Sequence, residues 1–255
     1  MSFLSKVSLK GKSSIITGGT KNLGALTARE FAALGSDLIL HYHSQSGTPE
    51  AEKLKKELES EYGIQVFLFA GDLKHQKANE DLFKFAIDKF GKVDVAVNNV
   101  GMVMKKPQVE FTEEEFETMD DRNNKAAFFF IQAASKYVAE GGRIISIVTS
   151  LLAAYTPNYG VYQGTKAPVE YYSKAASKEL HGKQIAVNCV APGPMDTPFF
   201  YGQETKESVE FCKSCGMGNR LTKIDDIVPI LRFLATEGGW ITGQTIFASG
   251  GFTAH

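Results

Sequence analysis

Tyr162 and Lys166 stand four positions apart in Gly160-Val161-Tyr162-Gln163-Gly164-Thr165-Lys166, at the start of a stretch with helical patterning. On a helix that spacing puts two side chains on one face, where a lysine ammonium beside a phenol favours the ionised form of the phenol. A tyrosine so placed can trade protons with a substrate oxygen. Just upstream, the apolar run Arg143-Ile144-Ile145-Ser146-Ile147-Val148 reads as a buried strand and delivers two hydroxyls, Thr149 and Ser150. Either could hydrogen-bond the same oxygen, and strand alternation turns only one of the two toward it.

Those side chains need a frame. Lys12–Thr17 reads as a short strand, Gly18-Gly19-Thr20-Lys21-Asn22-Leu23-Gly24 as a turn, and Ala25–Leu34 as a helix closed by Gly35. A glycine-rich turn running from strand to helix lets the backbone approach a pyrophosphate, and the helix N-terminus adds free N–H groups and a positive dipole end. Gly18, Thr20, Lys21, Asn22, Leu23 and Gly24 are therefore candidate nucleotide contacts. The second strand, Asp37–Tyr42, ends in His41-Tyr42-His43-Ser44 with no carboxylate. An acid at that place would bond a ribose 2′-hydroxyl, whereas neutral or basic residues admit a 2′-phosphate. Tyr42, His43 and Ser44, with Lys21 nearby, predict NADP rather than NAD.

Val66–Ala70 is a third strand, followed by Asp72 and Leu73; Asp72 either bonds an adenine amine or caps the helix that begins near His75. Val93–Val97 is a fourth strand before the loop Asn98-Asn99-Val100-Gly101. Alternation of apolar strands with amphipathic helices predicts a doubly wound α/β fold, a parallel sheet covered on both faces. Thr112 and Glu115 form a capping box for a helix running to about Val138, and the polar Asp121–Lys125 segment within it predicts a kink with a bound water. Ile185–Val190 is the sixth strand, ended by the rigid turn Ala191-Pro192-Gly193-Pro194. Residues 195–221 lose periodicity and read as a long, mobile binding lid. A helix over Asp225–Ala235 and a last strand near Gly243–Ala248 complete the chain. Met102, Tyr155, Asn158, Phe199 and Phe200 are expected to line a pocket for an apolar or aromatic ketone.

Composition limits what else the chain can be. At 255 residues and 43% hydrophobic content it suits one domain over residues 1–255 with a sizeable core. With 28 basic and 29 acidic residues it has no broad positive field for nucleic acid or an anionic membrane. Three cysteines, Cys189, Cys212 and Cys215, argue for a reducing compartment, and the lone Cys212/Cys215 pair lacks the further ligands of a metal site. Met1–Lys6 carries no signal-peptide core, Thr253-Ala254-His255 is no targeting tail, and no stretch reaches membrane-span length. A cytoplasmic protein is expected.

The chain closely resembles the short-chain dehydrogenase/reductase family over essentially its whole length. Thr17–Gly24 matches TGxxxGxG, with Asn22 in place of the middle glycine; asparagine tolerates the left-handed conformation. Asn98-Asn99-Val100-Gly101 matches NNAG with one change, Tyr162 to Lys166 matches YxxxK, and Pro192-Gly193 matches the turn after the sixth strand. The resemblance implies a seven-stranded Rossmann sheet and NADP(H)-dependent reduction of a ketone or aldehyde, a small-molecule substrate. It implies Tyr162 as proton donor, Lys166 lowering its pKa and holding the nicotinamide ribose, and Asn123 sustaining a water relay. Thr149 is favoured by its family spacing from the tyrosine, while Ser150 fits the usual residue type. Asn99, Gly101, Pro192, Gly193 and Thr197 join the cofactor contacts. A homo-oligomer, tetramer or dimer, is implied, with Phe128-Phe129-Phe130 and the helix after Tyr162 partly at the interface. Two alternatives are a beta-ketoacyl-carrier-protein reductase, using Arg122, Lys125 and Arg143 toward an acidic carrier, and a catalytically silent NADP-binding regulator.

Overall fold

Seven runs rich in Val, Ile, Leu and Phe become strands: β1 (Ser13–Ile16), β2 (Asp37–Tyr42), β3 (Val66–Ala70), β4 (Val93–Asn98), β5 (Val138–Ile147), β6 (Ala186–Pro192) and β7 (Thr245–Ala248). The structure, a computed structural model, describes residues 7–154 and 156–253, so Tyr155, expected in the pocket, lies outside the described residues. All strand pairs are parallel and the order is β3-β2-β1-β4-β5-β6-β7. The strand order reverses between β1 and β4, which opens a crevice beyond their C-terminal ends. This is the doubly wound Rossmann arrangement. Every residue of β1, β4 and β6 is buried, as a sheet covered on both faces requires.

The covering helices are α1 (Asn22–Ala33), α2 (Thr48–Tyr62), α3 (Gln76–Phe90), α4 (Glu113–Asp120), α5 (Ala126–Tyr137), α6 (Gly160–Glu179), α7 (Pro198–Tyr201), α8 (Lys206–Cys215) and α9 (Ile224–Ala235). On one face Phe31, Leu54, Leu58, Leu231 and Leu234, from α1, α2 and α9, pack against Ile16, Leu38 and Val95. On the other, Leu82, Phe83, Phe130 and Val169, from α3, α5 and α6, pack against Ile15, Val93 and Ile144. A third cluster of Met119, Leu151, Tyr159, Val161 and Tyr162 lies under the open end of the sheet and fixes the first turn of α6.

The long helix expected from Thr112 forms, and its polar segment is irregular. Thr112 and Glu115 form the capping box, and Asp121–Lys125 is a π-turn between α4 and α5. α5 ends at Tyr137, and Val138, with extended backbone, begins β5 by pairing with Val93. Residues 195–221 are not an irregular loop: they fold into α7 and α8, with Thr205 Oγ1 accepting from the Ser208 N–H at 3.3 Å as an N-cap. Their mixed polarity reflects exposure, since Val209 is the buried residue of α8. No helix among the described residues is long and apolar enough to cross a membrane.

Candidate active site

The turn after β1 is shaped for close backbone approach. Gly18 has φ +58°, Asn22 takes φ 45° in the left-handed region, and a Cβ on Gly24 would lie 2.0 Å from the Gly18 carbonyl oxygen. Thr17 Oγ1 ties this turn to the loop after β4, accepting from the N–H groups of Asn99 at 2.9 Å and Val100 at 3.3 Å. Beneath it lies His41, which sequence reasoning passed over because it sits inside an apolar strand. Gly18 N–H donates to His41 Nδ1 at 3.3 Å, and His41 Nε2 lies 2.9 Å from the Gly71 carbonyl. That pairing places the ring proton on Nε2. Burial pushes the imidazole down to about 4, so it stays neutral and keeps Nδ1 as acceptor.

A cavity of about 290 Å³ runs from this turn to α6. Gly18, Lys21, Asn22, Leu23, His43, Asp72, Leu73, Asn99, Gly101, Tyr162, Lys166 and Thr197 line it, with His41, Arg122 and Met195 as additions. Pro192 and Gly193 line an adjoining cavity of about 270 Å³. Thr20, Gly24, Tyr42 and Ser44 are on neither wall. Gly24 is needed for packing against the Gly18 backbone. Tyr42 is buried with its hydroxyl 3.1 Å from Thr48 Oγ1, and Ser44 bonds Ser46. Asp72 does not cap α3: its Oδ1 accepts from Lys74 N–H at 3.2 Å, and the capping position falls to His75, which makes no side-chain cap. Lys21, at the start of α1, pairs with Glu50 at 3.3 Å, both well exposed. No carboxylate from β2 faces Lys21 and His43.

Tyr162 stands where the two cavities meet and lines both. Its ring is set edge-on to Tyr159, 6.0 Å between centroids. Burial pushes the phenol up to about 12, and a hydrogen bond with the Thr149 hydroxyl works against that rise. Lys166 shares its helix face, but its ammonium donates to the carbonyls of Ile147 at 3.1 Å and Val100 at 3.4 Å. Burial draws that ammonium down to about 8. Burial is the main cause of the shift on both groups, and Lys166 is not among the causes acting on the phenol.

Asn123 lies in the π-turn and is fully buried. Its Oδ1 accepts from Met102 N–H at 2.8 Å, and its Nδ2 donates to Met102 O at 2.9 Å and Thr165 Oγ1 at 3.1 Å. Asn124 is spent elsewhere, on Asp120 and Tyr172. Thr149 and Ser150 both line the second cavity, and Thr149 is the one whose hydroxyl acts on the Tyr162 phenol, opposing the rise that burial causes. Asn158, Phe199 and Phe200 line it as expected; Met102 instead packs into the cluster beneath, and Val103 and Lys105 take its place on the wall. Among the described residues no group of three or more His, Cys, Asp or Glu is placed to hold a metal.

A parallel sheet reversing at β1/β4, a glycine turn feeding a helix N-terminus, and a tyrosine–lysine pair at the head of α6 define a dinucleotide-dependent oxidoreductase fold. The chain belongs to the short-chain dehydrogenase/reductase family. A family profile described as enoyl-(acyl carrier protein) reductase matches residues 18–253. A short-chain type dehydrogenase/reductase of Picea abies is 34% identical, over 95% of this chain and 93% of that protein. The NADPH-dependent aldehyde reductase 2 of Arabidopsis thaliana, a chloroplastic protein, is 32% identical over 95% of this chain and 94% of its own. A dehydrogenase from Burkholderia cenocepacia solved with bound NADP superposes with a TM-score of 0.95 at 43% identity, covering 99% of this chain and 97% of that one.

Proposed function

We propose that the protein reduces a small aldehyde or ketone to the alcohol with NADPH. The observation that carries this reading is the placing of Tyr162 at the junction of the two cavities, with Thr149 beside it on the wall of the second. Two hydroxyls converging there suit one acceptor oxygen, that of a polarised carbonyl. NADPH, when bound, supplies the hydride that the carbonyl carbon receives. Tyr162, protonated at neutral pH because burial holds it near 12, gives its proton to the developing alkoxide. Thr149 orients the carbonyl oxygen toward that phenol. Lys166, anchored on the Ile147 and Val100 carbonyls, projects into the nucleotide cavity as the cation for the ribose end. Asn123 acts as a positioning residue, tying the Met102 backbone in the loop after β4 to Thr165, the neighbour of that lysine on α6.

The glycine cradle fits a pyrophosphate, since Cβ atoms at Gly24 or Gly18 would crowd backbone or the Asn99 amide. Lys21, whose ion pair with Glu50 is exposed, and His43 line the cavity where β2 ends without a carboxylate, which fits the 2′-phosphate. With both nicotinamides assayed under identical conditions on a carbonyl panel, NADPH is expected to be preferred at least about tenfold in kcat/KM, the worth of one charge-assisted contact. Preference for NADH would overturn the cofactor assignment. Thr149→Val is expected to lower kcat about tenfold to a hundredfold, losing one oxygen-bound hydroxyl, while Ser150→Ala changes it little. Steady-state kinetics of the pair decides between them.

The carrier-protein alternative is weakened by its basic residues. Lys125 is paired with Asp121, Arg143 donates to the Gly141 and Gly142 carbonyls, and Arg122 faces the nucleotide cavity. The same reading takes residues 1–255 as one domain in the cytoplasm, assembling as a dimer or tetramer through surfaces that include the exposed Phe128 and Tyr171.

A further inference from the structure

The second cavity is mostly apolar, walled by Val103, Leu151, Pro157, Phe200 and Phe211, yet one side is built from a buried charged cluster. Glu204, in the turn between α7 and α8, has a side chain only 2% exposed. It accepts from Lys105 Nζ at 2.5 Å and from the hydroxyls of Tyr159 and Ser208. Burial raises its pKa, but those donors outweigh it and hold the carboxyl below its ordinary value. Three donors take up most of the roughly four lone-pair sites of a carboxylate. Lys105 is different: an ammonium has three N–H donors, and Glu204 is its hydrogen-bond acceptor among the described residues, with the Tyr159 ring 5.3 Å away. Donors remain for whatever fills the cavity. Tyr159 reaches Glu204 with its hydroxyl and lies edge-on to Tyr162, so this polar wall stands one aromatic ring beyond the proton donor.

Resting on the carbonyl-reductase reading, we propose that Lys105 and Glu204 set the pocket for neutral carbonyl substrates bearing a second oxygen remote from the reacting one, and against carboxylates. A hydroxyl or second carbonyl at that distance accepts from the spare Lys105 N–H. A carboxylate would instead share an already neutralised ammonium with Glu204, and two carboxylates in one desolvated site repel. A wholly apolar substrate fills the cavity without using the donors.

Three aldehydes of similar intrinsic reactivity test this: benzaldehyde, para-hydroxymethylbenzaldehyde and para-carboxybenzaldehyde, each reduced with NADPH. The wild-type kcat/KM is expected to be about tenfold higher for the hydroxymethyl compound than for benzaldehyde, one hydrogen bond to a charged donor, and lowest for the carboxylate. Lys105→Met should erase the hydroxymethyl preference. Glu204→Gln, which keeps an oxygen acceptor but drops the charge, should lift the carboxylate above benzaldehyde. A cluster that merely latches α8 to the loop after β4 would scale all three substrates together, and unchanged ratios in the Glu204→Gln enzyme overturn the proposal. The same aldehydes titrated into the NADP⁺-saturated protein give the order of dissociation constants without turnover. The expected binding order with no reduction would reject the carbonyl-reductase reading alone, while turnover with a flat order would reject this inference alone.

Discussion

Tyr162→Phe is expected to lower kcat for carbonyl reduction by about 10²–10⁴-fold, the span that a positioned general acid contributes, and to leave NADPH affinity within about threefold. The change removes one oxygen. The Phe ring keeps the edge-on contact with Tyr159 and the packing of the cluster with Met119, Leu151 and Val161. What disappears is the proton poised beside Thr149, on a phenol that burial keeps protonated up to about 12. Pre-steady-state kinetics with NADPH fluorescence would separate the two effects: cofactor binding persists and the chemical step stalls. A variant with wild-type kcat would remove Tyr162 from the mechanism.

Lys166→Met should cost activity and add stability. The ammonium bonds two backbone carbonyls, yet it is almost wholly buried, and burial lowers its pKa from the ordinary 10.5 to about 8. The unfolded chain therefore holds this proton more tightly than the folded one. Below about pH 8 the protonated lysine carries the full destabilising cost, and between about 8 and 10.5 the cost is relieved as both states lose the proton. Methionine fills nearly the same volume without the charge. At pH 7 the variant is expected to be on the order of 1–2 kcal/mol more stable after the lost carbonyl hydrogen bonds are counted, a rise in Tm of roughly 2–8 °C for a chain of this size. Repeated at pH 10, the melting curves should converge. Its kcat/KM should fall by about 10²-fold or more, with KM for NADPH rising, because the cation at the ribose end is gone. Loss of activity together with a lower Tm at neutral pH would contradict the account of Lys166 as a strained, functional charge.

The frame of the fold was readable because its signals are local. β-branched runs, the glycine turn and the capping box at Thr112 act within a few residues, and each appears where the spacing placed it. Asn123 was reached only through the family resemblance, but the polar segment that holds it pointed to a kink, and that segment forms the π-turn that aims Asn123 at Met102. What the sequence hid depends on contacts across the chain. The Lys105–Glu204 pair joins residues 99 apart, and nothing local marks either as buried. His41 looked like part of an apolar strand, although its ring supports the glycine turn. The segment 195–221 lacked a strong apolar period because α7 and α8 pack on few residues. The tyrosine–lysine spacing correctly predicted a shared helix face, but not the balance of desolvation that sets both proton affinities.

Carbonyl reduction, rather than reduction of a carbon–carbon double bond, is the claim on which the rest depends, and one substrate carrying both groups tests it. Cinnamaldehyde would be reduced with NADPH deuterated at the transferable position, and the product examined by NMR. Deuterium at the carbinol carbon of cinnamyl alcohol is the expected result, with the double bond intact. Deuterium at the carbon beyond the double bond, in a saturated aldehyde, would place the hydride elsewhere and contradict the role of Tyr162 and Thr149 as partners of a carbonyl oxygen.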